Sequence, residues 1–282
     1  MRVLEFIAPG QRAGVGVLLG DGVYDLTTRH PDRARSMHHL LNLPDWRDLV
    51  ASAKAVDFAL DDIEFSPLLA QSGRVFAIGL NYAKKYPAGG TPPPTPQFPP
   101  WFTKVPGTLV GHLQPLVAPR VSPTFDHESE LAAVIGRRAR HVPVESALDV
   151  VAGWTIVNDG SVREWQRHSV SAGKNFERSG SIGPWMVTSD EIADPQALRL
   201  VARVDGEVRQ DASTGEMIKS VAQIISYLST ALELLPGDVI ATGSPEGSGG
   251  GFDPPRWLMP GQVVECEVEG IGVLRNPVIG ES

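Results

Sequence analysis

The chain has 282 residues, 42% of them hydrophobic and 21% charged, with a formal net charge of −8. This length and apolar fraction allow a sizeable core in one or two domains, while the acidity and the lack of a Lys/Arg block argue against a nucleic-acid partner. A single cysteine, Cys266, rules out an internal disulfide and suits a reducing compartment, where it reads as a small buried hydrophobe. The first residues lack a signal-peptide core, and no apolar run approaches the roughly 20 residues of a membrane span. No membrane partner is therefore expected, and the cytoplasm is the expected location.

Glycine (29) and proline (24) are spread along the chain and punctuate short apolar runs, which predicts β-rich structure with many turns. Residues 1–70 read as a small N-terminal domain. Two strands, 1–7 and 14–19, lead to the hairpin-type turn Gly20-Asp21-Gly22, and helices follow near 35–41 and 45–60. A second domain, 71–282, opens with an apolar strand at 74–79. Proline lacks the backbone donor and fixes φ, so 87–100 is a loop with polyproline character. Further strands are predicted at 131–135, 150–157, 200–204, 238–242 and 263–268. Val221, Ile224, Ile225, Leu228 and Leu232 share one helical face. Ser220 with Gln223 forms a capping box at its start, and Pro236-Gly237 is a stop signal.

The chemistry concentrates in Asp126-His127-Glu128-Ser129-Glu130. On a strand, residues two apart share a side, so Glu128 and Glu130 project together. Two carboxylates that close repel unless a cation or proton lies between them. The strand continues as Leu-Ala-Ala-Val-Ile, apolar on both faces and therefore buried, which raises the cost of an unpartnered pair. A third carboxylate, Asp159, stands at the end of the next apolar run. Three carboxylates form a hard, oxygen-only set suited to Mg²⁺, Mn²⁺ or Ca²⁺ and not to zinc.

With these residues in place, the sequence resembles the fumarylacetoacetate hydrolase family. The matching pieces include VFAIGLNYA (75–83), FTK (102–104), FDHESELAAVIGRRAR (125–140), VAGWTIVNDGSVREWQ (151–166), GKNF (173–176), VDGEVRQDAST (204–214), LLPGDVIATGSPEG (234–247) and PGQVVECEVEGIGVLRNPV (260–278). The resemblance implies an α+β, mostly β fold, a mixed β roll behind a small N-terminal domain, and commonly a homodimer. It implies Mg²⁺, Mn²⁺ or Ca²⁺ at Glu128, Glu130 and Asp159, and a small-molecule 2-oxo or 1,3-dioxo acid as substrate. It places Lys174 as a catalytic cation near metal and substrate. Gln166 matches a substrate-facing glutamine and Arg163 an arginine that supports the site. Glu164 follows that arginine where the family usually has Asp. Ser244 replaces the second Thr of a T-G-T-P motif and keeps a hydroxyl for a substrate carboxylate. Tyr82 and Gln210 are further pocket candidates, with packing or a backbone contact an equal alternative for each.

The chain departs from the family at one motif. Many members carry N-Y-x-x-H-x-x-E, whose His–Glu pair makes a water nucleophilic. Here the frame is Asn81-Tyr82-Ala83-Lys84-Lys85-Tyr86-Pro87-Ala88, so Lys85 and Ala88 fill the His and Glu positions. A lysine near its usual pKa of about 10.4 is a poor base at neutral pH, which leaves Lys85 a catalytic candidate only if burial lowers it. His112 reads as structural, His127 replaces a usual aromatic, and His168 follows on an uncertain loop. The leading expectation is a metal-dependent C–C bond hydrolase or lyase acting through an enolate. An oxo-acid decarboxylase or isomerase, which needs no activated water, is the first alternative. A catalytically silent, metal- and ligand-binding member is the second.

Overall fold

The computed structural model describes residues 1–69, 73–83 and 94–282, and its architecture is α+β and mostly β. Thirteen of its strands carry the argument. They are β1 (Arg2–Ala8), β2 (Arg12–Leu19), β3 (Gly22–Asp25), β4 (Val75–Ile78), β5 (Trp101–Lys104), β6 (Ser129–Ile135), β7 (Val151–Asn158), β8 (Gly180–Thr188), β9 (Arg199–Val204), β10 (Glu207–Ser213), β11 (Val239–Ala241), β12 (Val263–Val268) and β13 (Gly272–Gly280). The main sheet runs β3-β2-β1-β8-β7-β6-β11-β4-β5, with short pieces added at its margins. A second sheet runs β10-β9-β12-β13 and ends on Leu116–Ala118.

Strand β6 lies at the centre and is buried along its whole length, as its unbroken apolar run predicts. Its side chains alternate between two cores. Leu131, Ala133 and Ile135 pack with Val264 and Cys266 of the second sheet and with Ile224, Ile225 and Leu228 of a helix. Ala132 and Val134 pack with Val3, Leu26 and Leu40 from the N-terminal residues. Strand β1 is hydrogen-bonded to β8 as well as to β2. Residues 1–69 extend the main sheet through the pairing of β1 with β8 and share one of its cores.

Four helices bear on the sequence reading: α1 (Met37–Leu41), α2 (Trp46–Ala51), α3 (Val170–Lys174) and α4 (Val221–Ala231). The predicted capping box of α4 is present, with Ser220 accepting from Gln223 N–H and Gln223 accepting from Ser220 N–H. The helix predicted over 45–60 is a correction, because α2 stops at Ala51. Asp57 accepts from Asp25 N–H at 2.8 Å and from Arg29 Nε at 3.0 Å. Phe58–Ala59 pairs with β3. These long-range bonds pull the segment into extended chain against its local helical preference.

Candidate active site

Glu128 stands just before β6 and Glu130 within it, while Asp159 follows the last residue of the neighbouring β7. The two segments are joined by a hydrogen bond from Asp159 N–H to Glu128 O at 2.8 Å. All three side chains are buried, and one oxygen from each lies within 4.8 Å of the others. The turn after Asp159 requires glycine, since a Cβ on Gly160 would lie 1.7 Å from Ser179 O.

Among the described residues, three cations surround these carboxylates. Lys174, at the end of α3, pairs with Glu128 Oε2 and, at 2.5 Å, with Asp159 Oδ2. Burial alone would lower its pKa, but the Asp159 and Glu128 charges outweigh it and the ammonium is held above its ordinary value. Arg163 donates from Nε to Asp126 Oδ2 at 2.7 Å and from Nη2 to Glu128 Oε1 at 2.8 Å. The third cation, Lys104, ends β5. It is fully buried and donates to Asp159 Oδ1 at 2.8 Å and to the Lys174 carbonyl. Its burial outweighs Asp159 and pushes its pKa down. The two lysines thus meet on the two oxygens of one carboxylate, Asp159, and are driven in opposite directions.

Glu130 carries the unbalanced charge. It accepts Gly243 N–H at 2.8 Å, and among the described residues no cation forms a direct ion pair with it. Burial first, then Asp159, pushes its carboxyl well above the usual range. A divalent cation among the three carboxylates would relieve that repulsion, and the all-oxygen donor set fits a hard ion.

The other predicted residues fall around this centre. Tyr82 is buried, with its hydroxyl unpartnered among the described residues and its pKa raised by burial and by the nearby Glu130 charge. Gln166 is half-buried, with its Oε1 3.5 Å from Arg163 Nη1. Gln210 is spoken for by the fold. It accepts Ser129 N–H at 3.0 Å and donates to Ser244 Oγ and Pro245 O, both at 2.8 Å. Ser244 keeps its own hydroxyl proton to donate. Lys85 and Ala88 lie outside the described residues.

None of the histidines near the motifs is hydrogen-bonded to the three carboxylates among the described residues. His112 accepts Arg275 N–H at 3.0 Å, in line with a structural role, and burial with Arg275 lowers it to about 4. His168 is exposed and packs edge-on against Trp165. His127 is buried, makes no hydrogen bond through either ring nitrogen among the described residues, has Nδ1 3.5 Å from Asp126 Oδ1, and is lowered by burial.

Lys104 and Asp126 lie within the quoted motifs, but the sequence reading assigns neither of them a role. Asp126 accepts from Gly249 N–H (2.6 Å), Gly250 N–H (3.0 Å), its neighbour His127 N–H (2.9 Å) and Arg163 Nε. Burial opposes its ionisation, but Arg163 and these donors hold its pKa below the usual carboxylate range. The alternation Phe102-Lys104 on the buried side of β5 was the available signal for the lysine.

A buried acidic triad ringed by cations on this mixed β architecture defines a class of metal-site enzymes, and the comparisons agree. The family model for the fumarylacetoacetate (FAA) hydrolase C-terminal region matches residues 74–279. The chain belongs to the fumarylacetoacetate hydrolase family. A Burkholderia multivorans protein with a general hydrolase name is 38% identical over 277 residues, 96% of each chain. The mitochondrial oxaloacetate tautomerase FAHD2A of Bos taurus is 33% identical over 290 residues, covering 99% of this chain and 92% of its own. The crystal structure of maleylpyruvate hydrolase from Sphingobium sp. SYK-6, in complex with manganese(II) and pyruvate, aligns over 100% of both chains at 26% identity with a TM-score of 0.81.

Proposed function

We propose that this protein is a divalent-cation-dependent enzyme that interconverts the keto and enol forms of a small 2-oxo acid with a second carboxylate, an oxaloacetate-like substrate. The observation that carries the reading is the buried cluster of Glu128, Glu130 and Asp159, with one ammonium, Lys104 or Lys174, on each oxygen of Asp159. A cation held by Glu128, Glu130 and Asp159 would draw electron density from the substrate's oxo group. Lys174 keeps its charge and offsets the carboxylates. Lys104, whose ammonium burial makes more acidic, gives a proton from Nζ to the carbon beside the oxo group and takes back the enol O–H proton; no bond between heavy atoms changes. Ser244 Oγ–H donates to the distal carboxylate, and Tyr82 O–H closes the pocket beside Glu130. This chemistry needs no activated water, consistent with Lys85 and Ala88 at the positions of the missing His–Glu pair. The name of the Bos taurus relative points the same way.

Hydrolysis of an acylpyruvate is the second reading, favoured by the structural neighbour that holds manganese and pyruvate. One assay separates the two. Enol-oxaloacetate and an acylpyruvate are incubated with the protein and Mn²⁺, and enol absorbance and pyruvate release are followed together. The expected result is faster loss of the oxaloacetate enol without pyruvate. Pyruvate release matching the loss of acylpyruvate enol favours hydrolysis, and rates equal to those of a Glu128→Ala, Glu130→Ala control would defeat both. The homodimer implied by the resemblance is tested by sedimentation velocity.

A further inference from the structure

The face of β6, β7 and β8 turned away from the carboxylates carries a row of polar side chains. Ser129 lies directly opposite Asn158, and Asn158 directly opposite Ser181. Opposite residues on antiparallel strands share a face, with Cβ atoms about 5 Å apart. Leu131 and Ile156, two positions along on the same face, belong to the apolar core that also holds Cys266. All three polar residues are buried, and Ser129 Oγ, Asn158 Nδ2 and Ser181 Oγ have no nitrogen or oxygen hydrogen-bond partner among the described residues. The Cys266 thiol interacts with Ser129, but sulfur is a weak partner.

The other end of the Asn158 amide is committed to the site. Asn158 Oδ1 accepts Glu128 N–H at 3.0 Å. The next residue, Asp159, donates its own N–H to Glu128 O at 2.8 Å. One side chain therefore spans both segments that bring carboxylates to the centre, and its orientation depends on what Nδ2 meets.

We propose that a single buried water occupies this row, accepting from Asn158 Nδ2 and donating to Ser129 Oγ and Ser181 Oγ, and that Asn158 with this water is a positioning unit for the cation site. Three bonds are the usual complement of a buried water. The unit touches neither cation nor substrate; it acts through Glu128 and Asp159, and this part rests on the reading of those residues as cation ligands.

The test is the double variant Ser129→Ala, Ser181→Ala, which among the described residues removes no protein–protein hydrogen bond except the weak thiol contact. The melting temperature is measured in metal-free buffer, and Mn²⁺ binding is measured by titration of the free ion's paramagnetic signal, with Glu128→Ala as the no-site control. A dry row predicts that removing unsatisfied hydroxyls is neutral or stabilising, with Mn²⁺ affinity unchanged, and that pair of results overturns the proposal. The bridged row predicts a melting temperature lower by about 2 °C or more and Mn²⁺ affinity weakened roughly 10-fold. A lower melting temperature with unchanged affinity overturns the positioning role and leaves the water structural. If wild type binds no Mn²⁺, the cation reading fails, while the sign of the metal-free shift still decides the water. Should the double variant not fold, Ser181→Ala alone is read the same way.

Discussion

Lys104→Met is the most informative perturbation of the proposed chemistry. The ammonium is buried and pairs with Asp159, which is itself buried. Removing one partner of a buried pair costs about 3–5 kcal/mol, because the other charge is left without compensation. Lys174 still pairs with Asp159, so the lower end, about 3 kcal/mol, is expected. That corresponds to a fall of roughly 6 °C or more in melting temperature for the metal-free protein. Saturating Mn²⁺ should narrow the gap, because the cation takes over the compensation of Asp159. Activity should respond differently. If Lys104 carries the proton, kcat for enol loss falls about 100-fold or more even with Mn²⁺ bound. Lys104→Arg should not restore it, since a guanidinium stays protonated. Thermal melts with and without Mn²⁺, and enol absorbance kinetics at saturating Mn²⁺, supply both readings. A variant whose kcat stays within about threefold of wild type would refute the assignment of Lys104 as proton carrier.

Three further outcomes are expected. Asp126→Asn presents an amide to four donors; it should destabilise by about 3 kcal/mol or more and weaken Mn²⁺ binding as Arg163 shifts onto Glu128, and wild-type affinity in titration would contradict this. Lys85→His with Ala88→Glu should raise acylpyruvate hydrolysis measured as pyruvate release; no gain would mean that the shape of the following segment, not the lost pair, limits that reaction. His112 is depressed to about 4 from 6.5, so its contribution is fully present above pH 6.5 and is lost as pH falls through 4, about 3 kcal/mol in all. His112→Asn keeps an acceptor for Arg275 N–H and should lose less stability than wild type in urea unfolding between pH 7 and pH 4; parallel losses would count against it.

The sequence made the acidic half of the site legible because strand alternation is a local rule. Glu128 and Glu130 are two apart, and Asp159 ends an apolar run, so their convergence follows once the two strands pair. Most of the strands and the capped helix α4 were legible for the same reason, as period and caps are local. Lys104 was not, because its importance arises only where the end of β5 meets the end of α3, 70 residues further along. Asp126 was likewise invisible: four donors from three separate segments give it meaning. The overlong helix at 45–60 failed in the opposite sense, since its local preference was real and Asp57 overrode it through bonds to Asp25 and Arg29.

The loop after β11 shows why the carboxylate pattern extends beyond the triad. Glu130 accepts Gly243 N–H at its near end, and Asp126 accepts Gly249 and Gly250 N–H at its far end. Between them Gln210 ties Ser244 and Pro245 to Ser129 N–H. The loop that carries Ser244 is thus fastened at three points to the segment that carries Glu128 and Glu130. Gly243 can make its contact only with φ near 96° and no side chain, since a Cβ would lie 2.7 Å from Asn81 Cβ. Asn81 in turn donates to Thr242 O at 2.7 Å and accepts Lys219 N–H at 2.8 Å, so the start of the N-Y segment is held by the same loop. Glu130 therefore serves two tasks, one oxygen fixing the loop and the other, without a hydrogen bond among the described residues, facing the triad. A substitution at Gly243 should be felt first as a change in cation affinity, although the glycine holds no cation, because the loop and the triad share the Glu130 carboxylate.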